Sequence, residues 1–354
     1  MNVSTTTLRR LGASSALALV FCAVAAETAS AQIGGRLRGA VTRAAAGIGV
    51  DQLIGTNNQP ITTSLEHARF AVDSLDNFRP HDLSNYRGRT GVIAGFPVDS
   101  LDNMPLRSML DLQRTPNGGF VLQPGYWEMH TQSYCLKAGT HGPGGGDGYL
   151  FAPPSGPAED AVVSILRNSV NRPEIPQQQI QTLLWAIIAR AKFEDLSAEH
   201  KATASQLLTP RQIASLNRRA LDLIPGDEMG ALMGRVPGPL RQIVEAEAQL
   251  RNMLANPASS FAEMERVAVL TGAVGLGPGS RAVPEGRWSR HPDGYYVRYL
   301  PQGYSYTRTQ VWVPRGSAAV GREYDPATHI AVPGNTSRQR LIQSGRPHAR
   351  GAAD

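Results

Sequence analysis

The sequence predicts an α+β protein, in which a strand- and loop-rich segment is followed by a helical bundle and a small C-terminal antiparallel sheet. Residues 119–152 mix apolar and polar positions between glycine-rich turns, which is typical of strands and loops. Residues 155–271 carry apolar side chains at helical spacing. Residues 288–314 are rich in tyrosine, tryptophan and valine between turn signals, which favours a small antiparallel sheet.

Five segments follow one another along the chain. They are a signal peptide at 1–31, a loosely ordered N-terminal region at 32–105, a central segment with the helical bundle at 106–275, a small aromatic-rich β region at 276–330 and a flexible tail at 331–354. The N-terminal region contains the hexapeptide Val-Asp-Ser-Leu-Asp-Asn twice, at Val72–Asn77 and Val98–Asn103. Two copies are too few for a solenoid, so we interpret them as solvated turns or helix starts.

The N-terminus has the three parts of an export signal. An arginine pair at 9–10 gives it a basic start, the apolar run 16–26 follows, and the tripeptide Ala-Ser-Ala at 29–31 is a cleavage site. The apolar run is too short to span a bilayer, and no second long apolar stretch follows it. We therefore expect a secreted protein, periplasmic or extracellular at the cell surface, without a transmembrane anchor.

Composition and loop sequences argue against several kinds of partner. The 35 basic and 29 acidic residues give a formal net charge of +6, and no lysine or arginine cluster stands out. Nucleic-acid binding is therefore not predicted. The glycine-rich loop 141–148 lacks the Gly-Lys-Ser/Thr ending of a phosphate-binding loop. No cofactor and no metal site is predicted.

The helical segment has clear start signals and one well-defined apolar stripe. Pro176 begins a helix in which apolar side chains recur every three or four residues. This stripe contains Ile180, Leu183, Leu184, Ile187 and Ile188. Capping boxes at 209–212 and 260–263 predict two further helix starts, and residues 240–254 between them predict a longer helix.

Cys135 is the cysteine that remains after removal of the signal peptide, because Cys22 lies in the apolar run of that signal. A secreted protein with one thiol cannot close an internal disulfide, so the leftover cysteine indicates a reactive thiol or an intermolecular bond. Gln181 lies three and four residues before Leu184 and Trp185, so we expect its amide to point partly into the core. A buried amide needs hydrogen-bond partners or a covalent role.

Three short motifs resemble those of bacterial surface thioester domains, which occur in adhesins. They are Tyr134-Cys135-Leu136, Ile165-Leu166-Arg167-Asn168-Ser169 and Gln181-Thr182-Leu183-Leu184-Trp185, within residues 129–190. Ile180 and Ser169 stand where that family has threonine and glycine. The resemblance implies that the Cys135 thiol displaces ammonia from the Gln181 carboxamide. It also implies that the thioester acylates a surface nucleophile, either a protein amine or a glycan, or an envelope component.

The chemistry of this acyl transfer gives roles to four further side chains. We expect His130 or His141 to accept the thiol proton as a base. We expect Tyr134 and Trp185 to shield the thioester from water. Attack of a thiol on a carboxamide also needs near-attack geometry, which can be worth roughly 7–11 kcal/mol.

Two other functions fit the same residues. In the first, Cys135 is an inert buried hydrophobe, and the chain is a secreted, non-enzymatic envelope or scaffold protein. In the second, Cys135 is the nucleophile of a cysteine hydrolase, with His141 or His130 as base and Asp147 as the orienting group. Cysteine nucleophiles usually lie at a helix N-terminus, and the sequence does not place Cys135 there. It therefore favours a protein that is not an enzyme.

Overall fold

The computed structural model describes residues 105–218, 220, 238–277 and 280–348, and for residues 238–240 the backbone alone. The predicted signal peptide lies outside these ranges. So do the repeated hexapeptide and almost all of the N-terminal region predicted to be loosely ordered.

The described residues contain twelve β-strands. In chain order they are β1 (Leu106–Ser108), β2 (Phe120–Val121), β3 (Gly125–Cys135), β4 (Thr140–His141), β5 (Tyr149–Ala152), β6 (Val269–Leu270), β7 (Ser289–Arg290), β8 (Tyr296–Pro301), β9 (Tyr306–Val313), β10 (Glu323–Tyr324), β11 (Ile330–Pro333) and β12 (Leu341–Pro347). Seven of them form an antiparallel sheet in the order β5-β11-β12-β3-β9-β8-β7, and β1 pairs with β3 in parallel. Two short ladders, β2 with β10 and β4 with β6, lie outside this sheet.

Strand β3 is the centre of the main sheet. Its eleven residues pair with β12 along one edge and with β9 along the other. At the two ends of the sheet, the Phe151 N–H of β5 donates to Ser289 Oγ of β7 (2.9 Å). The sheet is therefore nearly closed and barrel-like.

Alternation of side chains along the strands produces two large cores, and Tyr126 and Trp288 form a third, small cluster. The inner core lies inside the curved sheet and includes Trp127, Met129, Cys135, Tyr149, Val297 and Val311. The outer core lies between the sheet and the helices, and its sheet residues include Tyr134, Leu150, Ile330, Val332 and Ile342. Consecutive residues of one strand, such as Tyr134 and Cys135, therefore belong to different cores.

Six α-helices lie within the described ranges. They are α1 (Glu159–Val170), α2 (Gln177–Ile188), α3 (Ala198–Leu207), α4 (Pro210–Asn217), α5 (Gly238–Ala255) and α6 (Phe261–Ala268). The apolar stripe predicted for α2 is confirmed, because every residue from Ile180 to Ile188 is buried. The capping boxes that begin α4 at Thr209 and α6 at Ser260 are also confirmed. None of the helices that the structure describes is long and apolar enough to cross a membrane.

The predicted fold class is wrong in its arrangement. The chain is strand-rich and has one large sheet, rather than a helical bundle followed by a small separate sheet. Strands β8 and β9, predicted as a separate aromatic-rich region, pair with β3, so that Gly125 lies opposite Val313. Hydrophobic periodicity reports local structure, and it does not reveal partners almost two hundred residues apart.

The part of the predicted flexible tail that the structure describes, residues 331–348, contains most of β11 and all of β12. Residues 341–346 of β12 are buried, and Leu341 lies opposite Cys135. Strand β11 connects β12 to β5. The glycine, serine and arginine residues of this region suggested a loose segment, but the neighbouring ladders satisfy its backbone, and Leu341 and Ile342 fill the two cores.

Candidate functional site

Cys135 is the last residue of β3 and lies where one neighbouring strand has ended. The ladder between β3 and β9 stops at the pair Gln132–Tyr306, whereas pairing with β12 continues through Cys135. Backbone groups of alternate strand residues face the same edge. Because the Ser133 N–H points across the β9 edge to the Ser305 carbonyl (3.0 Å), the Cys135 N–H faces that edge as well.

The side chain of Gln181 in α2 occupies this open edge. Its Oε1 accepts a hydrogen bond from the Cys135 N–H (2.7 Å), and its Nε2 donates one to the Cys135 carbonyl oxygen (3.2 Å). The carboxamide therefore pairs with Cys135 much as a strand residue would. Cys135 is 0% and Gln181 2% exposed. The structure thus brings together, away from water, the two residues that the sequence motifs suggested as a thioester pair.

Gln177, one helical turn before Gln181, extends the same contact. Its Nε2 donates to the carbonyl oxygens of Ser133 (3.1 Å) and Ser305 (2.7 Å). Residues four apart on a helix share one face, so both glutamines bind the edge of β3. Gln177 is not among the site residues predicted from the sequence motifs, although its position four residues before Gln181 is a usable signal.

The Cys135 thiol lies in the inner core, among apolar and phenolic side chains. Burial, and then the negative charge of Glu265, raise the pKa of this thiol well above its usual value. The phenols of Tyr149 and Tyr304 are near enough to interact with it electrostatically, and burial is the main cause that raises the pKa of each. Such a thiol is protonated at neutral pH, so it reacts only where another group takes its proton.

Tyr134 and Trp185 lie on the helix side of the Cys135–Gln181 contact. Both side chains are fully buried in the outer core. Trp185 follows Gln181 by one helical turn and stacks on Phe261 of α6, with ring centroids 5.2 Å apart. Both residues are therefore buried on the helix side of the sheet, as a shielding role requires, and that role stays a prediction.

His130 does not lie beside the thiol. It precedes Cys135 by five residues on β3, which corresponds to roughly 16 Å, and it points to the opposite face of the strand. Its Nδ1 is hydrogen-bonded to the Tyr306 hydroxyl, and its Nε2 lies 3.0 Å from Glu128 Oε1. His130 belongs to this outer network and is not placed to take the thiol proton.

His141 lies in β4, where its N–H donates to the Ser337 carbonyl oxygen (2.9 Å). Partial burial, and then the charge of Arg338, lower the pKa of its ring. Asp147 forms an ion pair with the same Arg338, with 2.7 Å between Nε and Oδ2. The group predicted to orient a catalytic histidine is therefore paired with an arginine, which argues against the hydrolase.

Comparisons with known proteins found no match to this chain, whether among family models, curated proteins or solved structures. Within the ranges that the structure describes, no group of three or more His, Cys, Asp or Glu side chains is arranged to hold a metal ion. Interpretation of the site therefore depends on its own geometry and chemistry.

Proposed function

We propose that this is an exported attachment protein, in which Cys135 and Gln181 form an internal thioester that acylates a nucleophile outside the cell. One observation carries the proposal. The Gln181 carboxamide is hydrogen-bonded to both backbone groups of Cys135, and both residues are buried. A buried glutamine that contacts the backbone of an unpaired cysteine combines an acyl donor and a thiol in one dry site.

The formation step is balanced without an external reagent. The Cys135 sulfur attacks Cδ of Gln181, a C–S bond forms, and the C–N bond of the carboxamide breaks. The thiol proton ends on the leaving nitrogen, which departs as ammonia. The transfer step has the same form, because an incoming amine attacks Cδ, an amide forms, and the Cys135 thiol is released.

Two features of the site favour the attack on the carboxamide. The Cys135 N–H already donates to Gln181 Oε1, the atom on which negative charge develops in the tetrahedral intermediate. A single donor of this kind is typically worth about 10²–10³ in rate. The two hydrogen bonds also fix the carboxamide against the residue that attacks it, which removes much of the entropic cost of the encounter.

Burial then determines the lifetime of the product. A thioester is hydrolysed if water reaches it, and Tyr134 and Trp185 are fully buried on the helix side of the contact. The target must be small or must displace part of this cover, which suits a lysine side chain or a sugar hydroxyl. Each molecule transfers its acyl group once, so the protein acts as a single-use attachment device and not as an enzyme.

The test is the intact mass of the purified mature protein, with and without methylamine. We expect a mass one ammonia below that of the sequence, which methylamine treatment converts to the mass of the N-methylated glutamine form. Cys135→Ala should have the full sequence mass and no reaction. Gln178→Ala, an exposed neighbour of Gln181 on the same helix, should behave as the wild type. A wild-type protein of full, unreactive mass contradicts the proposal.

A secreted scaffold with an inert cysteine is the second candidate. It is favoured by the complete burial of Cys135 and the raised pKa of its thiol, which are properties of a structural cysteine. The same mass measurement separates the two, because an inert cysteine predicts the full sequence mass and no methylamine reaction in the wild type and in Cys135→Ser alike.

A further inference from the structure

A tyrosine and a glutamate are hydrogen-bonded to each other at the border of the inner core. Tyr304 lies in the turn between β8 and β9, and Glu265 lies in α6. The Tyr304 hydroxyl donates a hydrogen bond to Glu265 Oε1. The ring of Tyr304 also packs against the inner core, to which the side chain of Cys135 belongs.

The backbone of Tyr304 is fixed to the face of β3 that carries the thiol. Ser133 Oγ donates to the Tyr304 carbonyl oxygen (2.9 Å), and Ser133 and Cys135, two residues apart, point to the same face. The next residue, Ser305, is bound by the Ser133 N–H (3.0 Å) and by Gln177 of α2 (2.7 Å). The helix that presents Gln181 therefore also positions the turn that presents Tyr304.

The charge of Glu265 acts on both the Cys135 thiol and the Tyr304 phenol. After burial, the charge of Glu265 raises the pKa of Cys135. Burial, the hydrogen bond to Glu265, its charge and Cys135 all raise the pKa of Tyr304. Both groups therefore hold their protons at neutral pH, and the carboxylate of Glu265 accepts the hydrogen bond of the phenol.

Tyr149 is the second phenol near the thiol, but it has no onward path for a proton. Its hydroxyl is buried and has no hydrogen-bond partner among the residues that the structure describes. The nearby Asp147 is engaged in its ion pair with Arg338. Tyr149 therefore resembles Tyr304 in its electrostatic interaction with the thiol. It differs in being fully buried, whereas Tyr304 is partly buried, and in lacking a bonded carboxylate.

We propose that Tyr304 and Glu265 form a proton relay for the Cys135–Gln181 thioester, an inference that rests on the function proposed above. During formation, the thiol proton passes to Tyr304 Oη while the phenolic proton passes to Glu265. As the C–N bond of Gln181 breaks, Tyr304 Oη donates a proton to the leaving nitrogen, which departs as ammonia, and Glu265 returns a proton to Tyr304. During acyl transfer, the relay takes a proton from the incoming amine and returns it to the Cys135 sulfur. Glu265 acts through Tyr304, which is the group adjacent to the thiol.

The test compares rates of methylamine transfer between pH 5 and 9 in full-length wild type, Glu265→Gln, Tyr304→Phe and Tyr149→Phe. General acid–base catalysis contributes about 10²–10⁴ in rate. We expect Glu265→Gln and Tyr304→Phe to form the thioester more slowly and to react about 10²-fold more slowly at neutral pH. Tyr149→Phe, the matched control, should react at the wild-type rate. Glu265→Asp should recover part of the rate, which a purely structural role would not predict.

Several outcomes overturn the relay. Wild-type rates and an unchanged pH profile in both relay variants would do so, as would an equal loss of rate in Tyr149→Phe. If Glu265→Gln fails to fold, Tyr304→Phe decides the matter, since it keeps the ring in the core and removes the hydroxyl alone. If the wild-type protein forms no thioester, the proposed function is overturned together with the relay. If the wild type forms the thioester and both relay variants react with methylamine at the wild-type rate, the relay alone is overturned.

Discussion

Gln181 and Gln310 are both buried and both contact strand β3, and they differ in what their side chains bind. Gln310 is 4% exposed and lies on the outer face of the sheet, where it accepts from the Tyr126 hydroxyl (2.7 Å) and donates to Glu128 Oε2 (2.5 Å). Gln181 is 2% exposed and is bound by the backbone of Cys135. Burial is therefore the same at both sites, and the neighbours alone distinguish a structural glutamine from a candidate acyl donor.

The outer site is built from charged and ionisable side chains. Glu128 connects Gln310 to His130, and Arg298 also donates to Gln310 Oε1. These groups are partly open to water, with side-chain exposures of 25% for His130 and 16% for Glu128. The inner site instead holds a neutral amide, a thiol and phenols in an apolar core. A water-sensitive thioester suits the second environment and not the first.

Replacement of the two glutamines gives the largest contrast. Gln181→Ala should abolish the mass loss and the methylamine reaction, because it removes the acyl donor. It also leaves the buried Cys135 N–H without its acceptor, which costs about 1–3 kcal/mol in the free energy of unfolding. Mass spectrometry and denaturant unfolding measure both effects. Gln310→Ala is the control and should retain the full methylamine reaction; loss of reactivity in both variants would contradict the contrast.

Removal of the aromatic cover should have the next largest effect. Trp185→Ala deletes a fully buried ring that stacks on Phe261, and we expect a loss of about 3–5 kcal/mol in stability. The cavity also admits water, so the thioester should hydrolyse faster, which timed mass measurements would detect. Trp312→Ala removes a half-buried ring from the outer face, where it stacks on Tyr296. The thioester lifetime should be unchanged in Trp312→Ala. If the lifetime is shortened equally in the two variants, Trp185 has no specific shielding role.

A smaller effect is expected at Gln177. Gln177→Ala deletes the hydrogen bonds to the carbonyl oxygens of Ser133 and Ser305, worth about 1–3 kcal/mol together. Because the helix is then held to β3 less firmly, the thioester should form in a smaller fraction of molecules. The mass-deficient fraction after purification measures this directly. Gln178→Ala should show the full wild-type fraction, and an unchanged fraction in Gln177→Ala would argue against positioning by this residue.

The smallest effect is expected at His130. His130→Ala removes hydrogen bonds of the outer network to Tyr306 and Glu128, and its partly exposed ion pair is worth less than about 1 kcal/mol. Since the ring points away from the thiol, thioester formation and its pH dependence should be unchanged. A large loss of methylamine reactivity in His130→Ala would restore the histidine as base and contradict the relay through Tyr304.

The local features of this fold were readable from the sequence. The apolar stripe of α2 and the capping boxes at Thr209 and Ser260 depend on neighbours within one or two helical turns. The structure contains each of them as predicted. The order of the motifs also suggested that Cys135 and Gln181 meet. That contact joins residues forty-six positions apart, and the motif resemblance suggested it where periodicity could not.

The pairing of distant strands was not readable. β12 pairs with β3 across two hundred residues, and nothing in its local composition marks it as a strand beside Cys135. The same limitation explains the assignment of a base. His130 and His141 are candidates because they are near Cys135 in sequence. Glu265 and Tyr304, which interact with the thiol electrostatically, lie far away in sequence, in α6 and in the turn before β9. Alternation along β3 places His130 on the other face of the strand.

The most direct test of the account is the location of a methylamine label by peptide mass spectrometry. Isotopically labelled methylamine is added to the native mature protein, which is then denatured, alkylated and digested. The account predicts a label on Gln181 and a newly alkylatable thiol at Cys135, in equal amounts, with Gln310 unlabelled. A label at another residue, or a Cys135 thiol that is fully alkylatable without methylamine, would contradict the Cys135–Gln181 thioester.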